Sequence, residues 1–197
     1  MMLDICLGTR SSWKILFVLS EAPGKAVSRK EIHELTNLGN KVLTKFLMLL
    51  EKFEIIISEH IGNKYYYKMN MNNPYNAFIL DVIRQEKSSM NNPDFRILNI
   101  LRDFIYEITN IDMEDIAAVY FFGSYAKRTF NKSSDIDVAI ILKKKNTSLE
   151  LDITKTIDNI EKRYYKEIQP HYYTLKEFED KKNKLILEIK KDGIRLM

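Results

Sequence analysis

Two kinds of apolar spacing alternate along this chain. In the first third, Trp13, Leu16, Phe17 and Ser20 recur at helical spacing. Ser28 can cap a second short helix, with Glu31 at the capping-box position. After Thr36-Asn37-Leu38-Gly39, a longer helix is predicted to set Val42, Phe46, Leu49, Leu50 and Phe53 on one side. Ile55 to His60 and Lys64 to Lys68 then read as strands around Ile61-Gly62-Asn63, a turn chemistry that suits a hairpin. Tyr75, Phe78, Ile79, Val82 and Ile83 mark a connecting helix, read mainly as a core-packing stripe, with a dimer contact as the alternative. Beyond Pro93, Ile97, Leu98, Leu101, Phe104, Ile105 and Ile108 form a strongly amphipathic helix. Strands are predicted over 117–122, 135–142 and 167–173. A helix striped by Leu149, Ile153, Ile157, Ile160 and Tyr164 lies between the last two. Thr174 caps a further helix with Glu177 at its third position, and Leu185 to Ile189 is helical up to Gly193.

The polar stretches at 70–74 and 87–93 are the natural boundaries. The expected division is 1–72, a linker helix at 73–91, and 92–197. At 197 residues there is room for two small cores. The expected class is α+β: a helical domain with a hairpin, then a small mixed β-sheet with helices packed on it. Hydrophobic content of 45% and charged content of 29% describe a globular protein. No apolar run approaches the ~20 residues that a membrane helix needs. The start, Met1-Met2-Leu3-Asp4, lacks a basic and then apolar leader, so a cytoplasmic location without membrane contact is expected. Cys6 is the only cysteine, which excludes an intrachain disulfide and a thiolate zinc site. A net charge of +4 mildly favours a polyanionic partner.

Candidate chemistry concentrates in Phe122-Gly123-Ser124 and Ser134-Asp135-Ile136-Asp137-Val138. Alternation along a strand would send Asp135 and Asp137 to one side and Ile136 and Val138 into the core. Two carboxylates so close repel unless a cation lies between them. Mg²⁺ takes oxygen ligands of this kind, one or two carboxylates with substrate phosphates completing the shell. Gly123 lets a ligand approach the backbone, and N–H groups at a helix start attract phosphate oxygens. The plainer reading makes both acids solvated residues on an exposed face. Against it, Asp is disfavoured in strands, yet both are embedded in an Ile, Val and Leu run.

This arrangement resembles the signature of the polymerase-beta-type nucleotidyltransferase superfamily, and within it the minimal nucleotidyltransferases. Their run, close to Gly-Ser-x-Ala-Arg-Gly and then Ser-Asp-Ile-Asp, stands here as Gly123-Ser124-Tyr125-Ala126-Lys127-Arg128 and Ser134-Asp135-Ile136-Asp137. Lys127 replaces the usual Arg and Arg128 a usual Gly. The resemblance implies a Mg²⁺-dependent nucleotidyltransferase. It would move a nucleoside monophosphate from a nucleoside triphosphate, with ATP the first candidate, to a hydroxyl acceptor that includes a partner protein among its options. Asp135 and Asp137 would be catalytic metal ligands, and Gly123, Ser124, Lys127 and Arg128 nucleotide-binding. A third acid is expected on the next strand, where Glu167, Gln169, His171 and Tyr173 share a face. Gln169 or His171 falls at the expected place and Glu167 is acidic but at the strand edge; Gln cannot act as a base, whereas His could.

The order of elements before residue 72 resembles a winged helix-turn-helix domain. That resemblance implies that the third helix enters the major groove of duplex DNA and that the hairpin forms a wing. Asn40, Lys41, Thr44, Lys45 and Lys64 are the DNA-binding candidates, with Asn40 and Thr44 able to reach base edges. A packing or dimerisation role competes, and a homodimer stays open. The competing function is a DNA-binding transcriptional regulator whose nucleotidyltransferase domain is degenerate and only binds nucleotide.

Overall fold

The computed structural model describes residues 7–91, 93–131 and 133–197. The expectations for Met1 to Asp4 and for Cys6 concern residues outside those described. The chain divides into two compact units, Met1–Ser88 and Ser89–Met197.

In the first unit, α1 (Arg10–Ser20) begins where the Thr9 hydroxyl accepts from Ser12 N–H. A short β1 (Val27–Ser28) leads into α2 (Arg29–Thr36), whose N-cap Ser28 accepts from Glu31 N–H. α3 (Asn40–Lys52) follows, then β2 (Ile56–Ile61) and β3 (Lys64–Met69). The hairpin turns at Gly62, whose φ of +60° suits a residue without a side chain. The three strands form an antiparallel sheet in the order β1-β3-β2. Ile15, Leu16, Phe17, Leu19, Ile32, Leu43, Leu47, Leu50, Ile55 and Ile56 are fully or almost fully buried.

Two predicted stripes need correction. In α3 the inward line is Leu43, Leu47 and Leu50, and Val42 is exposed. Of the expected residues Leu50 is buried, and Leu43 and Leu47, each one position and about 100° of helical rotation on from Val42 and Phe46, complete the inward line. In α4 (Tyr75–Ser89) the expected Ile79 and Ile83 are buried together with Leu80, while Phe78 is 70% and Val82 54% exposed. A polar anchor ties this helix down: buried Asn76 donates from Nδ2 to Ile55 O and to Asn70 O, each at 2.7 Å.

The second unit contains α5 (Phe95–Ile111), β4 (Ile116–Phe122), the single turn α6 (Gly123–Ala126), β5 (Ile136–Leu142), α7 (Thr147–Tyr164), β6 (Ile168–Thr174), α8 (Leu175–Phe178), α9 (Lys184–Asp192) and β7 (Ile194–Arg195). The sheet runs β6-β5-β4-β7. Strand β5 is antiparallel to β4 and parallel to β6, and β7 is antiparallel to β4, so the sheet is mixed. Alternation gives it two working faces. Val119, Phe121, Ile136, Val138 and Ile140 pack under α5 and α7 through Leu101, Phe104, Ile153 and Ile157. Ala118, Phe122, Ala139 and Ile141 meet Phe178 of α8 and Ile186 and Ile189 of α9. Across α5 and α7, the Tyr164 hydroxyl donates to buried Asp103 at 2.6 Å, and Arg163 reaches Asp103 and Glu107.

Replacing Asn76 by Ala removes both Nδ2 bonds and leaves the carbonyls of Ile55 and Asn70 with one backbone donor each, Asn70 N–H and Asn73 N–H. Urea unfolding should show the first unit weakened by about 1–3 kcal/mol. An unchanged midpoint would mean that water takes over both bonds.

Candidate active site

Strand β4 ends at the face that α8 and α9 cover, and the chain turns there at Gly123. Its φ is +73°, and a Cβ at this position would lie 2.0 Å from the Asp137 Oδ2. The sheet register explains the approach, since Phe122 is paired with Asp137 across the antiparallel β4–β5 ladder. Only the missing side chain lets the turn and the carboxylate occupy adjoining space. The turn is closed by Lys127 N–H to Gly123 O (3.1 Å) and Thr129 N–H to Ser124 O (2.9 Å).

Asp135 stands one residue before β5 rather than on it. The adjoining ladder bond, Ile136 N–H to Glu167 O at 3.0 Å, holds it at the strand entrance. The preceding loop is shaped by Asn131 and Ser134: Asn131 N–H donates to the Ser134 hydroxyl (2.9 Å) and Ser134 N–H to Asn131 O (3.1 Å). Lys166 donates to Ser134 O from the other side.

The electrostatics single out Asp137. Its carboxyl is pushed above the ordinary range, first by burial and then by the negative charges of Asp135 and Glu188, while His171 opposes the shift. Among the described residues, neither Asp135 nor Asp137 is paired with a Lys or Arg. A half-buried carboxylate surrounded by further acids is an unsatisfied charge, and a cation is what would satisfy it. No three His, Cys, Asp or Glu side chains among the described residues gather closely enough to form a metal site on their own. A pair of carboxylates that leaves the remaining ligand positions to substrate oxygens is compatible with this.

The other expected nucleotide ligands are engaged elsewhere. Lys127 Nζ lies 2.7 Å from Glu188 and 3.3 Å from Asp192, both on α9. Arg128 adopts a φ of +59°, the left-handed conformation that glycine adopts most easily, and its Nε donates to Asn91 O at 2.8 Å. Asn91 returns a bond from Nδ2 to Ala126 O at 2.8 Å. Glu188, Asp192 and Asn91 were not singled out from the sequence. The i,i+4 spacing of the two acids on α9 was the available signal.

On β6, Gln169 is the register partner of Asp137 and His171 that of Ala139. His171 stands edge-on to Phe122, with ring centroids 5.3 Å apart. Glu167 is opposite the strand entrance, adjoining Asp135. The position next to Asp137 on the parallel neighbour therefore carries an amide.

A family model described as polymerase beta, nucleotidyltransferase, matches residues 103–197. The matched residues, a little under half of the chain, are similar to a nucleotidyltransferase domain. The match begins within α5 and takes in the turn at Gly123, both aspartates and the α9 acids. No curated protein matches the chain. Such a domain implies a nucleotide substrate, and domains of this type generally use a divalent metal. No helix among the described residues is long and apolar enough to cross a membrane.

A raised carboxyl in the native state means that the folded protein binds more protons than the unfolded chain around that value. The metal-free protein thus loses stability as pH rises through it. Asp137→Asn should raise the thermal midpoint at neutral pH without metal and leave it unchanged in acid. A scan of both proteins against pH checks this, and a lowered midpoint for the variant at neutral pH would contradict the assigned charge environment.

Proposed function

We propose that this protein transfers a nucleoside monophosphate from a nucleoside triphosphate, ATP in the first instance, to a hydroxyl acceptor, and that its first unit is a winged helix that binds duplex DNA. The acceptor oxygen would displace pyrophosphate at the α-phosphorus. The observation that carries the enzymatic reading is the Asp137 carboxylate, half-buried, with Asp135 and Glu188 adding negative charge, and held against the turn at Gly123.

Asp135 and Asp137 fit Mg²⁺, because both are hard oxygen donors and neither has a cationic partner among the described residues. Bound there, the ion would neutralise and orient the triphosphate, which accounts for most of the acceleration in such transfers. Gly123 gives the Asp137 carboxylate room against the turn, and the N–H groups of the turn that follows would meet the distal phosphates. Among the described residues, the Ser124 hydroxyl is not engaged by a protein partner and can donate to a phosphate. Lys127 and Arg128 add positive charge near the turn, Lys127 while holding the acids of α9 and Arg128 while bonded to Asn91.

A second reading, a DNA-binding regulator that only senses nucleotide, is favoured by Gln169. An amide at the register partner of Asp137 neither accepts the acceptor's proton nor binds a second cation as a carboxylate would. A transfer assay with each radiolabelled nucleoside triphosphate separates the two, since only the enzyme yields a labelled acceptor.

For the first unit, the support is the order α1-β1-α2-α3-β2-β3 with a three-stranded antiparallel sheet. Asn40, Lys41, Thr44, Lys45 and Lys64 are all exposed. Such an order presents α3 as the groove-reading helix and the hairpin as a wing.

Calorimetry with ATP and Mg²⁺ should show binding by the native protein and loss of its Mg²⁺-dependent part in Asp137→Ala. Gly123→Ala should lose it too, because its methyl group would displace the carboxylate and the left-handed backbone adds about 1–3 kcal/mol of strain. Equal Mg²⁺-dependent binding by all three proteins would rule out the site.

Lys45→Glu should weaken duplex DNA binding and lower the slope of log affinity against log salt by about 1. Gel shifts at several salt concentrations measure both, and a native protein that shifts no duplex at low salt would end the DNA-binding reading.

A further inference from the structure

Arg29 opens α2, and Asn40 opens α3 one loop later. Arg29 Nη1 donates to Asn40 Oδ1 at 3.2 Å, and Nη2 donates to the Thr44 hydroxyl at 3.0 Å and to Asn40 O at 3.5 Å. The Thr44 hydroxyl in turn donates to Asn40 O at 2.9 Å. These are exposed bonds between neutral acceptors and a guanidinium, and among the described residues Arg29 has no carboxylate partner. Lys41 and Lys45, on the same exposed run of α3, have none either.

This cluster changes the chemistry that α3 can present. An Asn that reads adenine must accept from N6 through Oδ1 while donating to N7 through Nδ2. Here Arg29 occupies one lone pair of Oδ1 and sets its positive charge beside the other, which disfavours a further donor such as adenine N6, and the Thr44 hydroxyl spends its hydrogen on Asn40 O. What remains unbonded is a set of donors: Nε–H and one Nη1–H of Arg29 and the amide N–H groups of Asn40. In the major groove, guanine shows two acceptors, O6 and N7, whereas adenine shows one acceptor and one donor. A donor-only cluster therefore matches guanine and mismatches adenine. A phosphate offers acceptors as well, but it demands no planar fork braced in one orientation by two side chains.

Resting on the duplex-DNA reading given above, we propose that Arg29, braced by Asn40 and Thr44, is the residue that sets a guanine preference in the DNA this protein binds. Lys41 and Lys45 hold the backbone on either side and carry no sequence information.

The experiment uses the full chain and a pool of duplexes with a randomised central segment, selected by gel shift and sequenced. The native protein should enrich a guanine at one position of its site. Arg29→Ala should lose that enrichment, lowering discrimination there by roughly 10- to 100-fold while the rest of the selected sequence stays recognisable. Arg29→Gln retains length and polarity, supplies an acceptor as well as a donor, and should shift the same position toward adenine. The exposure of these bonds predicts unchanged thermal melting for both variants. If Arg29→Ala still enriches the same guanine, the proposal is overturned. It is also overturned if both variants weaken every sequence alike with a smaller salt slope, since that marks a phosphate contact. Binding to duplexes without selection of any base at that position overturns it while leaving the DNA reading intact. A native protein that shifts no duplex at low salt removes both.

Discussion

The second unit is organised around a space too small for a methyl group. Asp137 Oδ2 occupies the volume that any side chain at position 123 would need. Position 123 must therefore be glycine as long as β4 and β5 keep their register, with Phe122 opposite Asp137. The packing of both sheet faces enforces that register. A slip of one residue would send Asp137 among Val119, Phe121 and the side chains of α5, where an ionised carboxylate is untenable. The apolar core thus fixes the register, the register fixes the carboxylate, and the carboxylate dictates the glycine.

A second constraint is electrostatic. Burial and neighbouring acids leave Asp137 poorly satisfied when ionised, so the fold holds a carboxylate at some cost to its own stability. Natural chains keep such a cost where function requires it. The geometry agrees, because the Asp137 Oδ2 is held against the turn at Gly123 by the β4–β5 register. Asn131, Ser134 and Lys166 fix the loop that delivers Asp135, although none of them bears on the chemistry.

Much of this could be read in the chain. Strand alternation located β4, β5 and β6 within a residue or so, because each is an apolar run bounded by turn chemistry. The Gly-Ser turn and the acid pair stood out because Asp is rare inside such a run. Long-range partnerships were illegible. Nothing local to Lys127 announces Glu188, 61 positions away, and nothing local to Arg128 announces Asn91, 37 positions back. The inward lines of α3 and α4 were legible only in part, through Leu50, Ile79 and Ile83, for a different reason. Both helices carry apolar residues on adjoining lines, and tertiary packing alone decides which line turns inward. Strand β7, at two residues, is too short for periodicity to show.

The position of Lys127 bears on how the site tolerates its own acids. Glu188 raises the Asp137 carboxyl, and Lys127 stands on Glu188 and Asp192. A triphosphate arriving at the turn brings several negative charges toward a region that already holds Asp135, Asp137 and the α9 acids. If Lys127 left α9 for the phosphates, Glu188 and Asp192 would be uncovered beside the incoming charge, and the gain at the phosphate would be offset by new repulsion. Where it stands, the lysine lowers the negative potential without moving. In the proposed reading its usefulness to a bound nucleotide would be the neutralisation of α9 rather than a direct contact, and the principal counter-charge for the phosphates would come from a cation on the two aspartates.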